Sequence, residues 1–141
     1  MRHSHSGSCH CGSIEFGFET DIALERLAPR QCGCSFCTKH QIKWLADPNG
    51  RLTITNGIEP IRYRFGTKTA DFLICPNCGV VLMAACQIDG HDYGIANINC
   101  LDDQADCPTP ASKSNFDGEG TGDRLSRRRK NWMQLSQSSG A

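Results

Sequence analysis

Seven cysteines fall into three clusters: Cys9 and Cys11, then Cys32, Cys34 and Cys37, then Cys75 and Cys78. The middle stretch, Gln31-Cys32-Gly33-Cys34-Ser35-Phe36-Cys37, crowds three thiols together, and a shared zinc ion explains that density better than packing does. The last, Cys75-Pro76-Asn77-Cys78-Gly79, reads as a zinc knuckle: Pro stiffens the turn, backbone N–H groups can reach the thiolates, and a glycine after the second cysteine relieves crowding. A knuckle supplies two ligands and needs two more. Cys9-His10-Cys11 could provide them, although that spacing alone also suits two ordinary buried cysteines.

Tetrahedral zinc takes four ligands. Pairing the two doublets, Cys9 and Cys11 with Cys75 and Cys78, closes a four-sulfur structural site that ties an early strand to a distant knuckle and removes freedom from the unfolded chain. The triplet Cys32, Cys34 and Cys37 then holds a second Zn²⁺, two per chain, with a fourth position for water or substrate. Three thiolates on one Zn²⁺ leave a net charge of minus one, which weakens it as a Lewis acid but suits it to binding a substrate thiol as a nucleophilic thiolate. Addition of that sulfur to an aldehyde follows. The alternative is that Cys86, Cys100, Cys107 or His40 completes the tetrahedron, and the second site is structural too. If the site is open, His40 or a bound water is the candidate proton shuttle.

At 141 residues the chain is one domain's worth, with room for a hydrophobic core. Its 15 basic and 15 acidic residues balance, so no global field draws it to nucleic acid or a membrane. The start is polar and no apolar run approaches the roughly 18 residues of a membrane span, which predicts a soluble cytoplasmic protein. Its ten cysteines should then stay mostly reduced, favouring metal ligation over a disulfide framework.

The elements that must position these cysteines are mainly strands. Residues 13–19 alternate Ile14, Phe16 and Phe18 with polar neighbours, as a half-buried strand does. Residues 24–30 suit a short strand, and Phe36, His40, Trp44 and Leu45 fit a helical turn or a loop entering a strand. Asp47-Pro48-Asn49-Gly50 is a turn. Strands at 51–57 and 61–65, joined through Asn56-Gly57, predict an antiparallel meander. Residues 71–74 lead into the knuckle, 80–86 leave it, and 90–99 form a hairpin turn with a further strand. Residues 101–122 read as a long loop anchored by Phe116, lining a pocket. Residues 123–135 are the helix candidate, capped by Asp123, with Leu125, Trp132 and Met133 inward and Arg124, Arg127, Arg128, Arg129 and Lys130 outward. Residues 136–141 read as a frayed tail.

As a set, Gly7-Ser8-Cys9-His10-Cys11-Gly12, the Cys32, Cys34, Cys37 spacing, and the knuckle through Leu82 resemble the glutathione-dependent formaldehyde-activating enzymes, a family that includes centromere protein V. The resemblance covers residues 6–100, and residues 123–132 resemble the tail of some bacterial members. It implies a mainly β fold, the β-tent, with antiparallel sheets around zinc sites, a short C-terminal helix and one domain over residues 1–135. The implied activity is a zinc-dependent carbon–sulfur lyase joining a glutathione-like thiol to an aldehyde such as formaldehyde. By position, Cys9, Cys11, Cys75 and Cys78 take the structural zinc and Cys32, Cys34 and Cys37 the zinc of the active site. Lys39, Lys43, Arg62 and Arg64 could pair with the carboxylates of a peptide-like thiol, or be solvated charges of a strand face. A different reading is a non-catalytic zinc module binding protein or nucleic acid through residues 124–130, though no aromatic platform accompanies those cations. A metal or redox sensor using the same thiols is a third.

Overall fold

A computed structural model describes residues 1–108, 112–116 and 118–137. In chain order the first elements are β1 (His3–Ser8), β2 (Ile14–Thr20), β3 (Arg30–Cys32), α1 (Ser35–His40), β4 (Trp44–Leu45), β5 (Arg51–Gly57) and β6 (Ile61–Tyr63). There follow β7 (Asp71–Ile74), β8 (Val81–Ile88), β9 (His91–Asn97), β10 (Ser112–Ser114), α2 (Thr121–Asn131) and β11 (Met133–Gln137).

The strands form one mainly β, mixed sheet that branches at β9. One edge of β9 is shared: Tyr93 and Gly94 pair with β11, while Ala96 and Asn97 pair with β4. Its other edge carries β8, and β7 and β6 continue outward from there. Beyond β11 the order is β5, β2, β1; beyond β4 it is β3, β10. Most pairs are antiparallel, in line with the mainly β expectation, and two are parallel: β11 with β5 and β10 with β3.

Alternation places β2 as read, with Ile14, Phe16 and Phe18 buried. Its partner β1 is polar and gave no local signal of a strand. There Gly7 admits the Phe16 ring, since a Cβ would lie 2.4 Å from it. The strand β8 is buried almost throughout because it has a core on each face. Leu82, Met83 and Ala85 join Phe16, Phe18 and Leu52 in one core; Val81, Ala84, Cys86 and Ile88 join Trp44 and Trp132 in the other.

Local patterns misplaced four features. The meander fails at Asn56-Gly57, because β5 pairs with β2 and β11 whereas β6 pairs with β7. Residues 24–30 hold a 3-10 turn, Leu24–Arg26, before β3. The C-terminal helix ends at Asn131, Gly120 rather than Asp123 is its N-cap, and Met133 starts a strand. The expected tail is corrected for Ser136 and Gln137, which pair with Thr53 and Ile54; the rest of it, 138–141, lies outside the described residues, as do 109–111 and 117 of the long loop. No described helix is long and apolar enough to cross a membrane.

Candidate metal centres

Two tight turns build the first cysteine group. Between β1 and β2 the Gly12 N–H returns to the Cys9 carbonyl at 3.1 Å and Cys9 N–H reaches Ile14 O at 3.1 Å, which curls the loop around its own sulfurs. Between β7 and β8, Cys75 N–H bonds Val80 O at 3.0 Å, and Gly79 turns the chain at φ +81°, where a side chain would be strained. Backbone N–H groups of Ile14, Asn77 and Cys78 lie 3.4–3.5 Å from the Cys9 and Cys75 sulfurs, as donors to thiolates do.

The four sulfurs of Cys9, Cys11, Cys75 and Cys78 lie within 4.8 Å of one another. Cys11 Sγ is 3.7 Å from both Cys9 Sγ and Cys75 Sγ. That separation is far too long for a disulfide. A tetrahedral ion with metal–sulfur bonds of about 2.3 Å sets its sulfurs about 3.8 Å apart, so the group has the size of a four-thiolate zinc site. Burial pushes the Cys9 thiol up to about 11, while hydrogen bonds with Ser13 and Asn77 draw Cys11 down to about 5. A cation among them would favour the ionised form of all four.

The second group is local in sequence. Cys32 ends β3, Cys34 is the N-cap of α1 with its sulfur 3.4 Å from Cys37 N–H, and Cys37 lies in the first turn. The helix stops at Gln41 in the left-handed conformation, and Ile42 leads into β4, where Trp44 Nε1–H donates to Cys37 Sγ at 3.4 Å. These three sulfurs also lie within 4.8 Å of one another, and among the described residues no fourth His, Cys, Asp or Glu joins them. The Cys32 thiol is drawn down to about 5, chiefly by a hydrogen bond from Cys37, whose own thiol is driven up by that neighbour and by burial.

None of the alternative fourth ligands comes to the triplet. His40 is exposed and tilts its ring against Phe36, with 4.6 Å between ring centres. Cys86 is contacted by Arg128 Nη1 at 3.5 Å, Cys100 faces the Cys9 side of the molecule, and Cys107 packs against that same core. What lies beside the triplet is a cavity of about 410 Å³, lined by Cys32, Cys34 and Cys37 together with aromatic and basic side chains. Trp44, Phe65, Phe72, Phe116 and Trp132 form its apolar parts, and Arg30, Arg124, Arg127 and Arg128 its charged ones.

Three of those arginines were expected to project outward from α2. Arg128 is instead buried, donating to Thr69 Oγ1 at 2.7 Å, and Arg127 holds Glu119 through both carboxylate oxygens with Phe116 3.6 Å beneath it. The reason is the cavity, which gives cationic heads a polar hollow while their stems cover apolar surface. Lys39, Lys43, Arg62 and Arg64 do not line it: Arg62 and Arg64 are tied to Asp71 on another face. Arg30 was missed altogether. The available signal was its position two residues before Cys32, which puts both on one face of a strand.

Residues 4–114 match the family described as glutathione-dependent formaldehyde-activating enzyme. The chain belongs to that family. A crystal structure of a Rhodobacter sphaeroides protein is similar over 94% of this chain and 99% of that one, at 21% identity and a TM-score of 0.50, a likeness of fold. The family's general activity is activation of formaldehyde with glutathione. All seven clustered cysteines fall inside the matched region, whereas the wall contributed by α2 lies beyond it.

Proposed function

We propose that this chain is a zinc-dependent carbon–sulfur lyase that adds a small thiol, glutathione or a relative, reversibly to an aldehyde such as formaldehyde. The observation that carries the reading is the triplet: three thiols of zinc-ligating geometry, no fourth side chain among the described residues, and a cavity opening directly on them. Cys9, Cys11, Cys75 and Cys78 would hold a structural zinc, and Cys32, Cys34 and Cys37 a catalytic one, two per chain. Bound at the triplet, the ion supplies the positive charge that keeps a substrate thiol ionised near neutral pH.

The rest of the work falls to the protein. Trp44 Nε1–H, by donating to Cys37 Sγ, holds that sulfur in place and tempers its charge. Phe65, Phe72 and Trp44 give the aldehyde an apolar seat that limits competing water. In the net step the thiol loses its proton, a sulfur electron pair forms the C–S bond, the carbonyl π pair moves to oxygen, and that oxygen takes a proton. The product is a hemithioacetal, and the reverse step releases both partners without any oxidant. The proton exchanges with solvent, because Glu119, the one carboxylate among the described cavity residues, is held ionised against Arg127.

The nucleic-acid reading loses its support in the turned-in face of α2, which leaves Arg129 and Lys130 as its exposed cations. Ten unpaired cysteines suit the reducing cytoplasm. The test is Cys34→Ser, assayed by NMR for exchange between formaldehyde and its glutathione adduct. Turnover should vanish and metal content fall from two ions to one, with cooperative melting retained; wild-type turnover in that variant removes the mechanism.

A further inference from the structure

The large cavity does not stand alone. A second hollow of about 300 Å³ adjoins it, and Arg30, Trp44 and Ile95 line both. Arg30 and Trp44 oppose each other on the paired strands β3 and β4, so the two hollows meet across one cross-strand pair. The helix α2 borders both: Arg127 lines the large one and Asn131, a turn further on, the small one. This junction is also next to the triplet. Arg30 shares a strand face with Cys32, and Trp44 Nε1–H donates to Cys37 Sγ at 3.4 Å.

The two hollows differ in chemistry. Aromatic rings and several arginines wall the large one, whereas among the described residues Arg30 is the only charged side chain of the small one. Leu45 and Ile95 are buried in its floor beside half-buried Ala46, and Asn131 offers an amide at its exposed rim. Such a lining suits a short, uncharged carbon chain with a polar end.

The net step given above needs both spaces unless the aldehyde is formaldehyde. In a hemithioacetal one carbon carries the hydroxyl, the thiol's sulfur and the aldehyde's own substituent; in the formaldehyde adduct that substituent is hydrogen. With the thiol in the large cavity, a larger substituent must leave the junction another way, and the small hollow lies there. Its volume far exceeds what a molecule of two heavy atoms occupies.

We propose that the small hollow seats the substituent of an aldehyde larger than formaldehyde, a short uncharged chain that runs from the Arg30–Trp44 junction toward Asn131. Resting on the lyase reading, this makes Ala46 and Ala28 specificity-determining, since their small side chains keep the seat open. The bond changes are those of the same net step, and no further reactant enters.

Butyramide, which does not add a thiol, tests the seat apart from the chemistry when compared with formamide, which has the carbonyl but no chain. In NMR titrations of the zinc-loaded full chain, butyramide should bind at least about ten-fold more tightly than formamide through burial of its chain. Ala46→Leu should remove that advantage by filling the hollow, and Ala28→Leu, at an exposed position, should cost about three-fold of it. In the exchange assay with glutathione, the same variants should lower turnover of butanal relative to formaldehyde by about ten-fold and about three-fold. Thermal melting checks that each variant is folded, and if Ala46→Leu is not, Ala28→Leu carries the test. Butyramide binding no tighter than formamide, exchange of formaldehyde without exchange of butanal, or wild-type preferences in the folded variants overturns the proposal. If butyramide binds as expected but the wild type exchanges neither aldehyde, the lyase reading falls and the seat stands; normal formaldehyde exchange with butyramide binding indifferent to the hollow means the opposite.

Discussion

The two cysteine groups set the same side-chain atom in opposite surroundings. In the quartet, sulfurs from turns as far apart in sequence as Cys11 and Cys75 meet at 3.7 Å, Cys9 and Cys75 are almost wholly buried, and backbone N–H groups surround them. In the triplet the sulfurs come from one short stretch, Cys32 and Cys34 are partly exposed, and a cavity adjoins them. A saturated site that spans the chain can hold a fold together; an unsaturated one confined to a strand end and a helical turn is free to react. On the proposed reading, ligand count and chain separation, more than ligand type, divide structure from chemistry.

The sharpest way to break that comparison is to remove one sulfur from the quartet. Structural zinc is worth about 10–16 kcal/mol to small domains, comparable with the whole stability of a folded chain. Cys75→Ser should therefore abolish cooperative melting followed by near-UV circular dichroism, and a strong chelator should do the same to the wild type. A Cys75→Ser protein that melts like the wild type would make the two groups equivalent and remove the division of labour.

A smaller effect separates the groups by their surroundings. Trp44→Phe keeps an aromatic ring in the second core but deletes the N–H that reaches Cys37. Zinc affinity at the triplet should fall by about ten-fold, the usual scale for an outer hydrogen bond to a ligand, while the quartet's is unchanged. Competition with a chromogenic chelator resolves the two, since one ion per chain should be stripped earlier than in the wild type.

Both groups were legible in the sequence because ligand identity is carried by residue type and spacing, and the division of four and three follows from coordination number. The strands β2, β5, β7 and β8 were legible too, through alternation or an unbroken apolar run. Their partners were not. Asn56-Gly57 has the chemistry of a hairpin turn, yet β5 lies between β2 and β11, because pairing is settled by which faces bury together. The basic run of α2 was misread for a related reason. Charged helix faces usually meet water, and nothing in residues 121–131 announces that a hollow waits on the other side. The wall of the cavity becomes visible only once distant elements are assembled.

The smallest effect concerns that wall. Glu119 accepts hydrogen bonds from Arg127 at 3.1–3.2 Å, with Arg124 and Arg128 also near, and these contacts hold its carboxyl below the usual range. A carboxyl depressed in the folded state contributes stability above its unfolded value of about 4.3 and loses it as pH falls through the folded value. Glu119→Gln removes the charge but leaves a hydrogen-bonding side chain of the same length. At pH 7 it should cost about 1 kcal/mol, the scale of one partly exposed bidentate pair, measured by urea denaturation with zinc in excess. As pH drops below about 4.3 the wild type and the variant should converge, because the protonated carboxyl and the amide that replaces it are then both neutral. Loss of metal at low pH weakens both proteins alike, so the difference between them isolates the pair. A gap that persists in acid would mean that Glu119 acts through packing rather than through its charge.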